Sequence, residues 1–131
     1  MEPNWLNVAD VVAINEAEVA ETGELFALAR PDMLESGLDA PRNRRLYEGE
    51  EDVLVLGVCL LLAIAPNHPF AQGNKRTAFT ALNMFLELNG YAVDIPDRAI
   101  WGDEVVSLVL GRMTEMEFVA RIEHYVVPLK D

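Results

Sequence analysis

The stretch "VLVLGVCLLLAIAPNHPFAQGNKRTAFTALNMFLELNG", Val53 to Gly90, decides the fold. Val53 to Ala65 is apolar on every side, which makes it a buried central helix rather than an amphipathic surface one. Pro66 closes it. A second helical pattern runs from Asn74 to Asn89, with Ala78, Leu82, Phe85 and Leu86 on one face. Asn89 and Gly90 end that helix as a C-cap pair. Between the two helices lies a turn carrying His68, Gly73, Asn74, Lys75 and Arg76.

The flanking sequence continues in helical periods. Asn7 is a helix N-cap with Asp10 in the first turn, Val8, Val11, Val12 and Val19 follow at helical spacing, and Gly23 stops the run. "ARPDMLESGL" reads as a short helix opened by Pro31 and Asp32, and "DAPRNRRLYEGEED" as a polar loop. "YAVDIP" is a short extended connector. Asp97 caps a helix running to about Leu110. "TEMEF", Thr114 to Phe118, is a capping box that opens a last helix reaching about Val126. No sustained strand alternation appears. The expectation is one all-α domain over residues 1–131, with at most a marginal β-hairpin.

The chain has 131 residues, about half of them apolar, so one hydrophobic core is expected. Its formal charge is -12. Phosphate contacts dominate nucleic-acid affinity, so an acidic surface argues against nucleic acid, and equally against anionic membranes. The longest apolar run is too short to span a bilayer. "MEPNWLNVAD" lacks the basic-then-apolar order of a secretory signal. The single cysteine, Cys59, has no partner for an internal disulfide and reads as a small core residue in a reducing cytoplasm.

The turn runs against this acidic background. Gly73 stands immediately before a helix start, where free N–H groups and the helix dipole favour anions. A glycine there lets successive N–H groups converge as a nest. Lys75 and Arg76 put two cations on the first helical turn, the end where acids are normally preferred. A bound phosphate chain would resolve that conflict, with His68 at the other lip as a general base for an incoming hydroxyl. The residues alone leave a second reading open, a solvated turn with an ordinary surface histidine.

"HPFAQGNKRTA" resembles the signature of the Fic/Doc (Fido) family: His-Pro-Phe, any residue, Asp or Glu, Gly-Asn, Gly or Lys, Arg. Lys75 in place of Gly puts the chain nearer the Doc, or death-on-curing, branch. "RPDMLESGLDAPRN" and "FLELNGY" resemble the flanking segments of that branch, so the likeness covers most of the chain. It implies a small Fido helical bundle with the motif loop between two central helices. It implies that His68 takes the hydroxyl proton, that Pro69 and Phe70 seat the loop, that Gly73 and Asn74 cradle phosphates, and that Lys75 and Arg76 neutralise charge on the transferred group. With Lys75, the resemblance implies transfer of the terminal phosphate of ATP to a Ser or Thr hydroxyl of elongation factor Tu, arresting translation. AMP transfer, as in Fic proteins with Gly at that position, is the alternative.

The resemblance further implies Mg²⁺, and a Phd-like antitoxin covering the active-site groove. Gln72 stands where the family has an acidic metal ligand. Its neutral amide oxygen is a poor substitute, so Mg²⁺ is expected to be held chiefly by phosphates and water. A catalytically weak module that binds nucleotide or protein is a third reading. Asn15 occupies a position where Doc relatives often have His, and a structural role is expected. Arg42, Arg44 and Arg45 fall where family members carry a target-docking flap. The alternative is a solvated loop balanced by Glu48, Glu50, Glu51 and Asp52. Trp5, Trp101 and Phe118 are candidate groove anchors or core residues, and His124 is given no role.

Overall fold

The computed structural model describes Met1 to Leu129. Helix α1 spans Val8–Thr22. Its start is a reciprocal cap in which the Asp10 N–H donates to Asn7 Oδ1 at 2.8 Å and the Asn7 N–H to Asp10 Oδ2 at 2.9 Å. Gly23 ends it in the left-handed region.

Helix α2, Pro31–Glu48, corrects the sequence reading of a short helix followed by a polar loop. The helix continues through Pro41 and Asn43. Leu34, Gly37, Leu38 and Pro41 are buried, so packing overrides the local breaker signals. Gly37 permits the close approach: a Cβ there would lie 2.9 Å from the Ala63 carbonyl oxygen. Arg42, Arg44 and Arg45 are therefore helical residues, not loop residues.

Helix α3, Val53–Ile64, is capped by Asp52 and runs into a single 3-10 turn, Ala65–Asn67. Helix α4, Asn74–Leu88, packs against α3 as the centre of the domain. Leu56, Val58, Leu61, Ala78, Leu82 and Leu86 are all fully buried. Helix α2 covers α3 and α1 covers α4. Burying one such Leu or Val side chain contributes about 1.5–3 kcal/mol, which is why the non-amphipathic α3 is the natural centre.

After α4 come β1 (Tyr91–Val93), α5 (Arg98–Val109, N-capped by Asp97), α6 (Glu115–Glu123) and β2 (Val126–Pro128). The capping box of Thr114 and Glu117 opens α6 as expected. The last helix stops before Val126, because Val126–Pro128 pairs antiparallel with Tyr91–Val93. The two strands are joined by α5 and α6 rather than by a turn, so this is a long-range ribbon and not a local hairpin. Trp101 and Phe118 meet edge to face in the core, and the half-buried Trp5 stacks on Phe85. Cys59 is half-buried, and burial pushes its thiol pKa up, in keeping with an unreactive packing residue. No helix among the described residues is long and apolar enough to cross a membrane.

Candidate functional site

The loop from His68 to Gly73 is seated by Phe70, which is fully buried in the core beside buried Pro69. Asn74, first residue of α4, closes the loop: its Oδ1 accepts the Phe70 N–H at 3.0 Å and its Nδ2 donates to the Phe70 carbonyl at 2.8 Å. Its side chain is thus committed to the loop itself, and what it offers a ligand is its backbone N–H. His68 is exposed and sits at φ 47°, a conformation uncommon for any residue with a Cβ. The Asn74 amide lies 3.4 Å from His68 Nδ1, a long contact that orients the ring, while Nε2 has no protein partner among the described residues.

Gly73 begins α4 at φ 71°, which favours glycine. The position is also crowded: a Cβ there would lie 3.2 Å from Arg76 Nη2 and 3.3 Å from Val19 Cγ1. Both constraints select glycine where the chain turns into the helix.

Of the two motif cations, Lys75 is half-buried and has no ion-pair partner among the described residues. Arg76 is paired with Glu24, and its Nη1 lies 3.4 Å from the Glu18 carbonyl and 3.3 Å from Thr22 Oγ1. The Thr22 hydroxyl and then Arg76 hold the Glu24 carboxyl below its ordinary pKa, so it stays ionised at neutral pH.

His68, Gln72, Gly73, Asn74, Lys75 and Arg76 all line one cleft of about 960 Å³, a size suited to a small-molecule ligand. The sequence reading had named all six of these residues. It missed the opposite walls: Glu18 and Glu21 from α1, and Arg98, Gly102 and Asp103 from α5. It also missed the connection between α1 and α2, residues 24–30, part of which runs beside the loop. There the Ala71 N–H donates to the Ala27 carbonyl at 2.9 Å, the Arg30 N–H donates to the Pro69 carbonyl at 2.8 Å, and Leu28 bridges Phe70. Leu25 and Phe26 are exposed on this segment.

The three α2 arginines lie away from the cleft. Arg44 pairs with Glu115, Arg45 Nε lies 3.4 Å from Glu51 Oε2, and Arg42 sits 5.7 Å over the Trp5 ring. His124 is exposed at the end of α6. Trp101 and Phe118 are core residues.

The donor set does not fit a resident Mg²⁺. Gln72 offers a neutral amide, Glu18 Oε1 already accepts the Thr80 hydroxyl at 2.8 Å, and no group of three acidic, His or Cys side chains converges among the described residues.

The Fic/DOC family model matches residues 5–86. The protein kinase Doc of Escherichia phage P1 is 31% identical over 91 residues, 69% of this chain and 72% of that protein. The toxin Doc of Mycolicibacterium smegmatis is 32% identical over 119 residues, 88% of this chain and 82% of that protein. The chain belongs to the Fic/DOC family.

Proposed function

We propose that this Fic/DOC protein is a Doc-like toxin that moves the terminal phosphate of ATP onto a protein hydroxyl. The observation that carries the reading is the shared cleft: an exposed His68 beside a helix start that presents Gly73, Arg76 and a Lys75 with no ion-pair partner among the described residues. The names of the two Doc relatives support the phosphotransfer class and the toxin role.

In this reading the backbone N–H groups at the start of α4 hold the phosphate chain, assisted by the helix dipole. The acceptor hydroxyl oxygen forms the new bond to the terminal phosphorus. The bond from that phosphorus to the ADP oxygen breaks, and ADP leaves. The hydroxyl proton passes to His68. Lys75 and Arg76 stabilise the negative charge spread over the transferred group, the main demand of phosphoryl transfer. The acceptor is a Ser or Thr of a translation protein, elongation factor Tu by resemblance, and a Phd-like antitoxin is the partner that silences the cleft.

The test mixes the purified protein with elongation factor Tu or lysate and ATP labelled at the terminal or the innermost phosphate. Label from the terminal phosphate, lost in His68→Ala, is the expected result. Label from the innermost phosphate would establish nucleotidyl transfer instead. Absence of both, with an active Doc relative labelling the same mixture, would leave a binding module.

A further inference from the structure

We infer that Asn15 is the positioning residue that aims the Gly73 N–H at the phosphate chain, an inference that rests on the phosphotransfer reading above. Asn15 is fully buried in α1. Its Nδ2 donates to the Gln72 carbonyl at 2.9 Å and to Thr77 Oγ1 at 3.0 Å. One amide group therefore ties the residue before the Gly73 turn to the first turn of α4, bridging the turn from behind.

The consequence follows from peptide geometry. In a planar trans peptide the carbonyl and the next N–H point in opposite directions. Asn15 holds the Gln72 carbonyl on the buried α1 side, so the Gly73 N–H is turned away from Asn15. Gly73 lines the cleft, whereas Asn15 does not. That N–H has no backbone or side-chain acceptor among the described residues. At φ 71° Gly73 could accommodate a rotated preceding peptide more easily than any other residue, so the orientation needs an external restraint.

The arrangement is costly for a merely structural contact. Asn15 Oδ1 is buried with no hydrogen-bond partner among the described residues, a condition that destabilises the folded state and that an apolar residue would avoid. The buried polar side chains among the described residues are Asn15, Asn74 and Thr77, and all three hold this one turn. Polar burial in the domain is concentrated where the anion cradle is shaped.

The test uses inorganic tripolyphosphate, which reports the cradle without the base or the acceptor protein. Its affinity is measured by calorimetry, alongside Tm, for the wild type, Asn15→Leu and Asn15→Asp. Asn15→Leu keeps the volume and removes the donor, and Asn15→Asp keeps the shape but sets an acceptor against the Gln72 carbonyl. The expected result is a Tm close to wild type in Asn15→Leu with tripolyphosphate binding weakened about tenfold, the worth of one charge-assisted hydrogen bond. Asn15→Asp should bind at least as poorly. In the transfer assay kcat should fall while KM for the acceptor protein holds. Equal tripolyphosphate affinity in wild type and a folded Asn15→Leu would overturn the inference and leave the phosphotransfer reading standing. No binding by wild type would overturn the cradle and this role together. Should Asn15→Leu fail to fold, Asn15→Ser takes its place under the same outcomes.

Discussion

Arg76 and Glu24 are paired side chain to side chain, so one of the two motif cations already has an anionic partner inside the protein. Glu24 also accepts the Thr22 hydroxyl, which fixes it in place. A phosphate group that engages Arg76 must compete with this carboxylate and is repelled by it. Glu24→Gln should therefore tighten tripolyphosphate binding about two- to fivefold, the range expected for loss of one partly exposed ion pair. Unchanged or weaker binding would remove Arg76 from the anion site.

Acid should loosen the domain through the same kind of contact. Glu24 is lowered by Thr22 and then Arg76, and Glu117 is lowered by the Thr114 backbone N–H and then its hydroxyl, both from an ordinary value of 4.5. A carboxylate lowered in the folded state contributes stability that is fully present above its unfolded pKa. That contribution is lost as pH falls through the folded value. Tm followed against pH should be insensitive to these groups above 4.5 and decline below it. Glu117→Gln, which keeps a capping-box side chain, should flatten the decline. An unaltered profile in that variant would show that the cap does not titrate with unfolding.

The α3–α4 contact that frames the loop is close enough to exclude a methyl group. A Cβ at Gly57 would lie 2.5 Å from Leu82 Cδ1 and 3.3 Å from Phe85 Cδ2. Gly57→Ala gains about 1 kcal/mol of helix propensity, but overpacking a filled core costs about 1–3 kcal/mol. The expected result in urea unfolding is a net loss of stability of about 1 kcal/mol. A net gain would mean that Leu82 moves aside freely and that the two helices are less tightly joined.

Much of this was legible in the sequence where local signals and tertiary packing agree. Asn7 with Asp10, Asp97, and Thr114 with Glu117 are caps whose chemistry acts within one turn, and each forms as read. The signature from His68 to Arg76 is contiguous, so its residues share a cleft almost by necessity. The misreadings lie where distant packing decides. Pro41 does not break α2, because the helix is held against α3. Val126–Pro128 becomes strand only because β1 lies beside it, although its two β-branched residues were a usable hint. The cleft walls Glu18, Arg98 and Asp103 carry no local signal at all, being brought in by the crossing of α1 and α5 over α4. Asn15 sits between these cases. A structural role was expected for it, but the partners that explain it are 57 and 62 residues away.

Gln72 lines the cleft as an exposed side chain, and it is the position at which metal dependence should be adjustable. Mg²⁺ in phosphate sites is commonly held by one or two carboxylates together with substrate phosphates, and a neutral amide contributes far less. Gln72→Asp supplies one carboxylate without touching the loop hydrogen bonds, which use the Gln72 carbonyl rather than its side chain. The variant should keep its Tm. ATP affinity measured with Mg²⁺ and again with chelator should differ more in Gln72→Asp than in wild type, and the rate of transfer with Mg²⁺ should rise. If the variant binds ATP as wild type does and gains neither metal dependence nor rate, the acid at this position is irrelevant to the reaction. The cations Lys75 and Arg76 would then carry the phosphate charge without help from this residue.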